Sequence, residues 1–276
     1  MKAFWNASRT IYPAVFRVLI GLVLLVDLFF TLPALPYLLN PEINSLVADK
    51  GLYAWLSENY QIYFSIYGIV LFLFIFGIGK NLVSFLVWAC YFLLFQMTRF
   101  SSTWGDLILH FTLLYFVLVD SFRFLSMIKT KSRFGFVSKL AVCSVILHLF
   151  LIYIDNAFYK ITDQHWRQGI SVYYSFSQYP DFKESIWYPL VSHGLITRFI
   201  NYFVIMQQAF FVPLVLWKKT RIWMLALTAF IHSIMFVEFG LWKFEIVMIL
   251  LLGFVFTDDE WKFFLRKWVS PTLFKV

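Results

Sequence analysis

The chain has 276 residues, of which 61% are hydrophobic and only 14% charged, with 35 phenylalanines and a formal net charge of +8. A water-soluble domain of that length cannot bury so much apolar surface, so lipid must cover it, and the class is an all-α, polytopic helical membrane protein. The positive charge then belongs to cytoplasmic loops facing the lipid bilayer rather than to a nucleic-acid partner.

The first apolar run, near 13–35, continues past signal-peptide length and shows no small-residue cleavage site, so it is expected to stay as a span. Further runs lie near 61–79, 81–98, 104–122, 137–160, 199–217, 221–239 and 241–257. Since a crossing needs roughly 17–25 residues, these runs predict about eight transmembrane helices. Short links at 79–81 and 98–103 make the second, third and fourth helices antiparallel neighbours. No P-loop, dinucleotide-binding or zinc-protease motif appears, and no repeat of fixed period. The longest loops, 33–60 and 161–198, are short and aromatic, so residues 1–276 read as a single transmembrane domain. Cys90 and Cys143 fall inside apolar runs and read as packed small hydrophobes, not as a disulfide, redox pair or zinc site.

Orientation follows from the basic residues. With the N-terminus inside, 16 of the 23 fall on the inner side, from Lys2, Arg9 and Arg17 through Lys129, Lys131 and Arg133 to Arg266, Lys267 and Lys275. The outer loops keep only Lys50, Arg99, Lys160, Arg167, Lys183, Arg198 and Lys243. The positive-inside rule then makes both termini cytoplasmic and puts Lys160 at the outer face of the cell membrane.

Ionisable groups inside spans are costly and mark candidate sites. Asp106 and His110 stand at i and i+4 at the start of the fourth helix, on one face. The fifth helix carries His148, Asp155 and Tyr159 in one stripe and Tyr153, Asn156 and Lys160 beside it, with Phe150, Ile154, Ala157 and Phe158 assigned to the opposite, lipid-compatible side. His148 lies roughly 18 Å below Lys160 at 1.5 Å per residue and reads as a packing or relay histidine. The seventh helix adds His232 and Glu238, the eighth Lys243 and Glu245, and the first Asp27, ten residues from Arg17. Each has a bland counterpart. A lone lysine at a helix end commonly snorkels, a single buried histidine is commonly satisfied structurally, and Trp104, Trp166, Trp187, Tyr173 and Tyr174 suit an aromatic belt. Asp106 and His110 alone do not define a metal site, and none is expected. Clustering on one side of the membrane, more than any one residue, singles out an outward-opening cavity.

At "AFYKITDQHWRQG" the sequence resembles the membrane domain of the vitamin K-dependent gamma-carboxylase superfamily, also called the horizontally transferred transmembrane (HTTM) domain, in which a helix ends in a lysine followed by W-x-x-G. "RVLIGLVLLVDL", "WGDLILHFTLLYFVLVD", "YPLVSHGLITRFINYFV" and "AFIHSIMFVEFGLWKFEIVMI" are similar to further family stretches in the same order, so the likeness covers nearly the whole chain. Phe100 and Ser101 stand where the carboxylases carry a histidine, and the Lys160–Trp166 spacing is slightly longer. In size the chain is closer to the compact members than to the carboxylases; these include the membrane subunit that helps mature the sporulation-delaying peptide toxin beside a small partner protein.

The resemblance implies a gamma-carboxylase-like, quinone-linked enzyme of the lyase or ligase type. Lys160 would be the base toward a reduced vitamin K-type quinone, and a secreted peptide the substrate. It implies a catalytic set of Lys160, His232, Asp106 and His110, with Asp155, Tyr159, Trp166 and Gly169 shaping the cofactor cavity. The chemistry is compatible, because desolvation at an apolar boundary disfavours the ammonium ion and leaves a basic amine. Two other readings stand beside it: a non-catalytic membrane subunit for maturation or export of a peptide toxin, and a transporter, for which no inverted repeat or broken helix pair is visible.

Overall fold

A computed structural model describes residues 2–42, 44, 51–128, 135–179 and 181–265. Lys50, Lys129, Lys131, Arg133, Arg266, Lys267 and Lys275 of the charge argument lie outside the described residues, as does the side chain of Lys2. Among the described residues every regular element is helical and there is no strand. The helices used below are α1 (Tyr12–Thr31), α2 (Tyr60–Phe76), α3 (Lys80–Met97), α4 (Trp104–Phe116), α5 (Gly135–Thr162), α6 (Gln164–Gln168), α7 (Ser171–Ser177), α8 (Gly194–Leu216), α9 (Lys218–Phe239) and α10 (Trp242–Leu252).

Among the described residues, five helical stretches are long and apolar enough to cross a membrane: Tyr12–Leu38, Lys80–Met97, Gly135–Thr162, Gly194–Leu216 and Lys218–Phe239. A sixth crossing exists if Leu52–Glu58 and α2, bent by 90° at their junction, form one broken span. The apolar runs near 104–122 and 241–257 carry shorter helices, 13 residues in α4 and 11 in α10. At 1.5 Å per residue neither reaches the ~30 Å of a hydrocarbon core. Large apolar side chains cover the outside of the long helices, with Phe29 73%, Phe199 70%, Trp223 75% and Val237 73% exposed. That surface is consistent with a multi-pass protein whose solvent is lipid.

The chain divides into two compact units, each described by itself. One comprises 6–145 and 256–276. In it α1 packs on α2, α2 on α3 and α3 on α4. Apolar surroundings leave no water for helix ends, so side chains must satisfy the freed backbone groups. The Asp258 carboxylate accepts from the backbone N–H of Thr10 at 2.8 Å and of Ile11 at 2.9 Å, closing the start of α1. The buried Arg17 guanidinium donates to the carbonyls of Phe74, at 2.6 Å, and of Leu125. The Asn81 amide donates to the carbonyl of Val117 at 2.6 Å, where the backbone leaves α4.

The second unit comprises 1–5 and 146–255. α8, α9 and α10 are antiparallel neighbours in sequence, and α8 packs on α9 and α9 on α10. The tight α9–α10 reversal depends on Gly240, whose φ of 61° lies in the left-handed region open to glycine. Against α8 sit α6, α7 and the short helix Tyr188–Val191. They share a cluster of Val172, Phe182 and Val191 with Trp166, Phe176 and Trp187 packed around it. α5 belongs to the first unit up to Val145 and to the second from Ile146.

Candidate functional site

The second unit encloses a cavity of about 430 Å³, within the range of roughly 300–1,000 Å³ usual for small-molecule sites. Its walls are mostly apolar, from Ile152 on α5, Phe203 and Val204 on α8, Ile231 and Met235 on α9, and Phe244 and Met248 on α10. Polar groups interrupt them at a few points: Tyr153, Asn156 and Lys160 from α5, Gln207 and Gln208 from α8, and Thr228 and His232 from α9.

The spacing of α5 accounts for its contribution. Residues 153, 156 and 160 are separated by three and four, so they stack on one face at 3.6 residues per turn. Tyr153 is buried, Asn156 and Lys160 half-buried. The second stripe of this helix lies elsewhere. Asp155 stands two residues beyond Tyr153, about 200° round the helix, and both Asp155 and Tyr159 are exposed and outside the cavity walls. Phe150 and Ala157 are buried beside Tyr153, not on a lipid side, whereas Ile154 and Phe158 are exposed. The face assigned from the sequence as opposite to the polar flank is thus split, and the inward face is the Tyr153–Asn156–Lys160 stripe.

The turn after Lys160 is built from its own sequence. The Asp163 side chain accepts from the Trp166 backbone N–H at 3.0 Å, which caps the start of α6. Gly169 ends it at φ 78°, with the N–H of Ile170 returning to the His165 carbonyl at 3.1 Å. This is the glycine C-cap arrangement, and a Cβ there would meet Arg198 Cγ at 2.8 Å. The turn is fastened to α8, where the Asn201 amide donates to the Trp166 carbonyl at 2.7 Å and the Tyr202 hydroxyl to that of Arg167 at 2.8 Å. So held, the Trp166 ring lies 4.7 Å from Lys160 Nζ and meets it as a cation–π partner. Among the described residues no carboxylate lies within ion-pair distance of Lys160.

At the other end of the stripe, the Tyr153 hydroxyl lies 2.8 Å from His232 Nε2, and His232 Nδ1 is hydrogen-bonded to Glu245 Oε2. Glu245 is fully buried and its Oε1 has no partner among the described residues. The signal for the pair was in the sequence: His232 and Glu245 flank the Gly240 turn of a helical hairpin. The sequence reading names Glu245 only as an ionisable group of its span, and no helical period links it with His232, thirteen residues before it. Gln207 and Thr228, joined by a 2.8 Å hydrogen bond in the wall, gave no such signal.

Asp106 and His110 belong to the first unit and are not in the cavity walls. Asp106 works in a capping box. Its Oδ2 accepts from Thr103 N at 2.7 Å and Thr103 Oγ1 at 2.9 Å, while Oδ1 accepts from the Tyr91 hydroxyl at 2.9 Å. His110 sits among the rings of Phe92, Phe95 and Phe111, with centroids 5.3, 5.7 and 5.2 Å away. Of the eight residues singled out by sequence, the cavity therefore gathers Lys160, Trp166 and His232, with Gly169 shaping the adjoining turn. Among the described residues no group of three His, Cys, Asp or Glu side chains is placed to hold a metal ion. No protein-family model, curated protein or solved structure matches the chain.

Proposed function

We propose that the chain is a gamma-carboxylase-like integral membrane enzyme that works from the extracytoplasmic side on a secreted peptide, with a reduced quinone as cofactor and Lys160 as general base. In this reading it crosses the membrane about eight times with both termini cytoplasmic, and a small partner protein can deliver the peptide. The observation that carries the proposal is Lys160 itself. It is a cavity lysine in an apolar wall, held by the Trp166 ring at 4.7 Å and, among the described residues, without a carboxylate partner. An anchoring lysine needs no cavity, and a structural one needs a counter-ion.

The residues present fit a reduced quinone. The walls suit a flat apolar ring, Lys160 offers a basic nitrogen, and the buried Oε1 of Gln208 in the same wall, without a partner among the described residues, is free to accept a hydrogen bond from a hydroxyl. When bound and oxidised by molecular oxygen, such a cofactor would supply the strong base that glutamate γ-carbon deprotonation requires. The chain's own residues do the rest. Lys160 Nζ takes a hydroxyl proton, Trp166 fixes the lysine head, and Phe203, Val204 and Met248 exclude water, which would quench a carbanion.

The test is a reconstituted system with the purified protein in nanodiscs, a reduced menaquinone and co-purified secreted peptides, with carbon dioxide uptake read by mass spectrometry. Wild type is expected to add carbon dioxide only with the reduced quinone present, and Lys160→Ala to lose this activity by about 100-fold or more. Uptake independent of the quinone, or unchanged in Lys160→Ala, would overturn the reading.

A further inference from the structure

We propose that Tyr153 is a second acid–base group of the cavity, with His232 as its proton acceptor and Glu245 as the residue that positions and charges that acceptor. This rests on the reading that substrate occupies the cavity, and it adds a second reacting end to it, suited to a lipid-soluble substrate that carries hydroxyl functions at both ends.

Three helices of one unit meet in this chain of groups: Tyr153 from α5, His232 from α9 and Glu245 from α10. The Tyr153 ring is stacked on Phe211 with centroids 3.8 Å apart and an interplanar angle of 17°, which fixes the direction of its hydroxyl. The carboxylate of Glu245 has His232 as its one side-chain partner among the described residues and is cut off from solvent. It therefore holds the Nδ1 proton of His232 and fixes the tautomer, leaving Nε2 as a bare acceptor for the Tyr153 O–H. The phenol consequently turns lone pairs, not its proton, toward the cavity that Tyr153 and His232 both line. Among the described residues Glu245 Oε1 has no partner, so His232 is the one group that shares this buried carboxylate's charge.

The step balances without further reactants. A substrate hydroxyl gives its proton to Tyr153 Oη while the phenol proton passes to His232 Nε2. One O–H bond breaks on the substrate and one forms on Tyr153; the original phenol O–H breaks and an N–H forms on His232. The products are a substrate oxyanion and an imidazolium facing Glu245, and the reverse transfer restores the start. Tyr153 and Lys160, seven residues apart on one face, stand about 10 Å apart along the helix axis at 1.5 Å per residue, so the two ends of one cavity are both basic.

Benzenesulfonyl fluoride tests this on the purified full chain in nanodiscs. It is a small apolar electrophile that forms an O–S or N–S bond with a deprotonated phenol or amine, losing fluoride. Modified residues are located by peptide mass spectrometry. Tyr153 is expected to be sulfonylated faster than Tyr159, although Tyr159 is 57% exposed and Tyr153 only 3%. In His232→Gln and Glu245→Gln the Tyr153 rate is expected to fall by about 100-fold, the scale of a general base, while Lys160 labelling stays unchanged. Tyr153 no faster than Tyr159 in wild type, or equally fast in folded variants, overturns the proposal; the wild-type comparison decides alone if a variant does not fold. Lys160 labelled without Tyr153 refutes the relay and leaves the cavity reading intact. Labelling at neither refutes both, and none of these outcomes depends on peptide carboxylation.

Discussion

Asp106 shows how one residue type supports two readings. A carboxylate at the start of a membrane helix marks a candidate site on cost alone, yet Thr-Trp-Gly-Asp is also a capping-box spacing, and the hydrogen bonds to Thr103 and Tyr91 use both of its oxygens. Asp106→Ala is therefore expected to destabilise the protein by about 2 kcal/mol, a lost cap together with a stranded tyrosine donor, read as a lower unfolding temperature in detergent. Unchanged stability with lost activity would make Asp106 a chemical residue instead. Gly169 allows a similar test. Alanine there must adopt φ 78° against Arg198, so Gly169→Ala is expected to cost about 1 kcal/mol or more in thermal unfolding. The requirement for this glycine was legible as W-x-x-G, but the reason for it, a helix C-cap pressed on Arg198, needs the α8 backbone. His232 with Glu245 lay further from reach, since their meeting depends on the hairpin at Gly240 and not on any local period.

The two stripes of α5 belong to the scale of the element. Their separation could be read from spacing, because about 100° per residue puts Asp155 opposite Tyr153. Which stripe faces inward could not, since both are polar and the choice is made by where α8 and α9 lie. Helix ends were equally opaque. Hydropathy continues smoothly past Phe116, yet the backbone leaves the helix there and Asn81 takes up the freed carbonyl of Val117. Replacing Asn81 by Leu removes that donor from an apolar setting, and a loss of about 1–3 kcal/mol is expected. Hydrogen exchange at the end of α4 checks it: faster exchange confined to that segment fits the account, and no change means water already satisfies the carbonyl.

For the whole molecule, composition points to a helical membrane class, because lipid is the solvent that suits 35 phenylalanines in a chain this small, and the described residues are all helical with helices apolar enough to cross. The number of crossings was less legible, since hydropathy counts apolar runs and not helices. Among the described residues five helices are long and apolar enough to cross, or six with the bent pair. The proposed topology has an even number and both termini cytoplasmic. Single cysteines placed at residues 2 and 276 of a Cys90→Ser, Cys143→Ser chain are expected to stay unlabelled by an impermeant maleimide in intact cells and to react in inverted vesicles. Labelling of one terminus only would require an odd count.

The central claim is that the Lys160 amine takes a proton and does not simply anchor the helix. Expression with a secreted peptide in isotopically labelled bicarbonate measures this most directly, comparing wild type with Lys160→Arg, which keeps the charge but cannot be deprotonated. The account predicts labelled carbon dioxide on the peptide with wild type and none with Lys160→Arg at equal protein levels; equal labelling with both would contradict it.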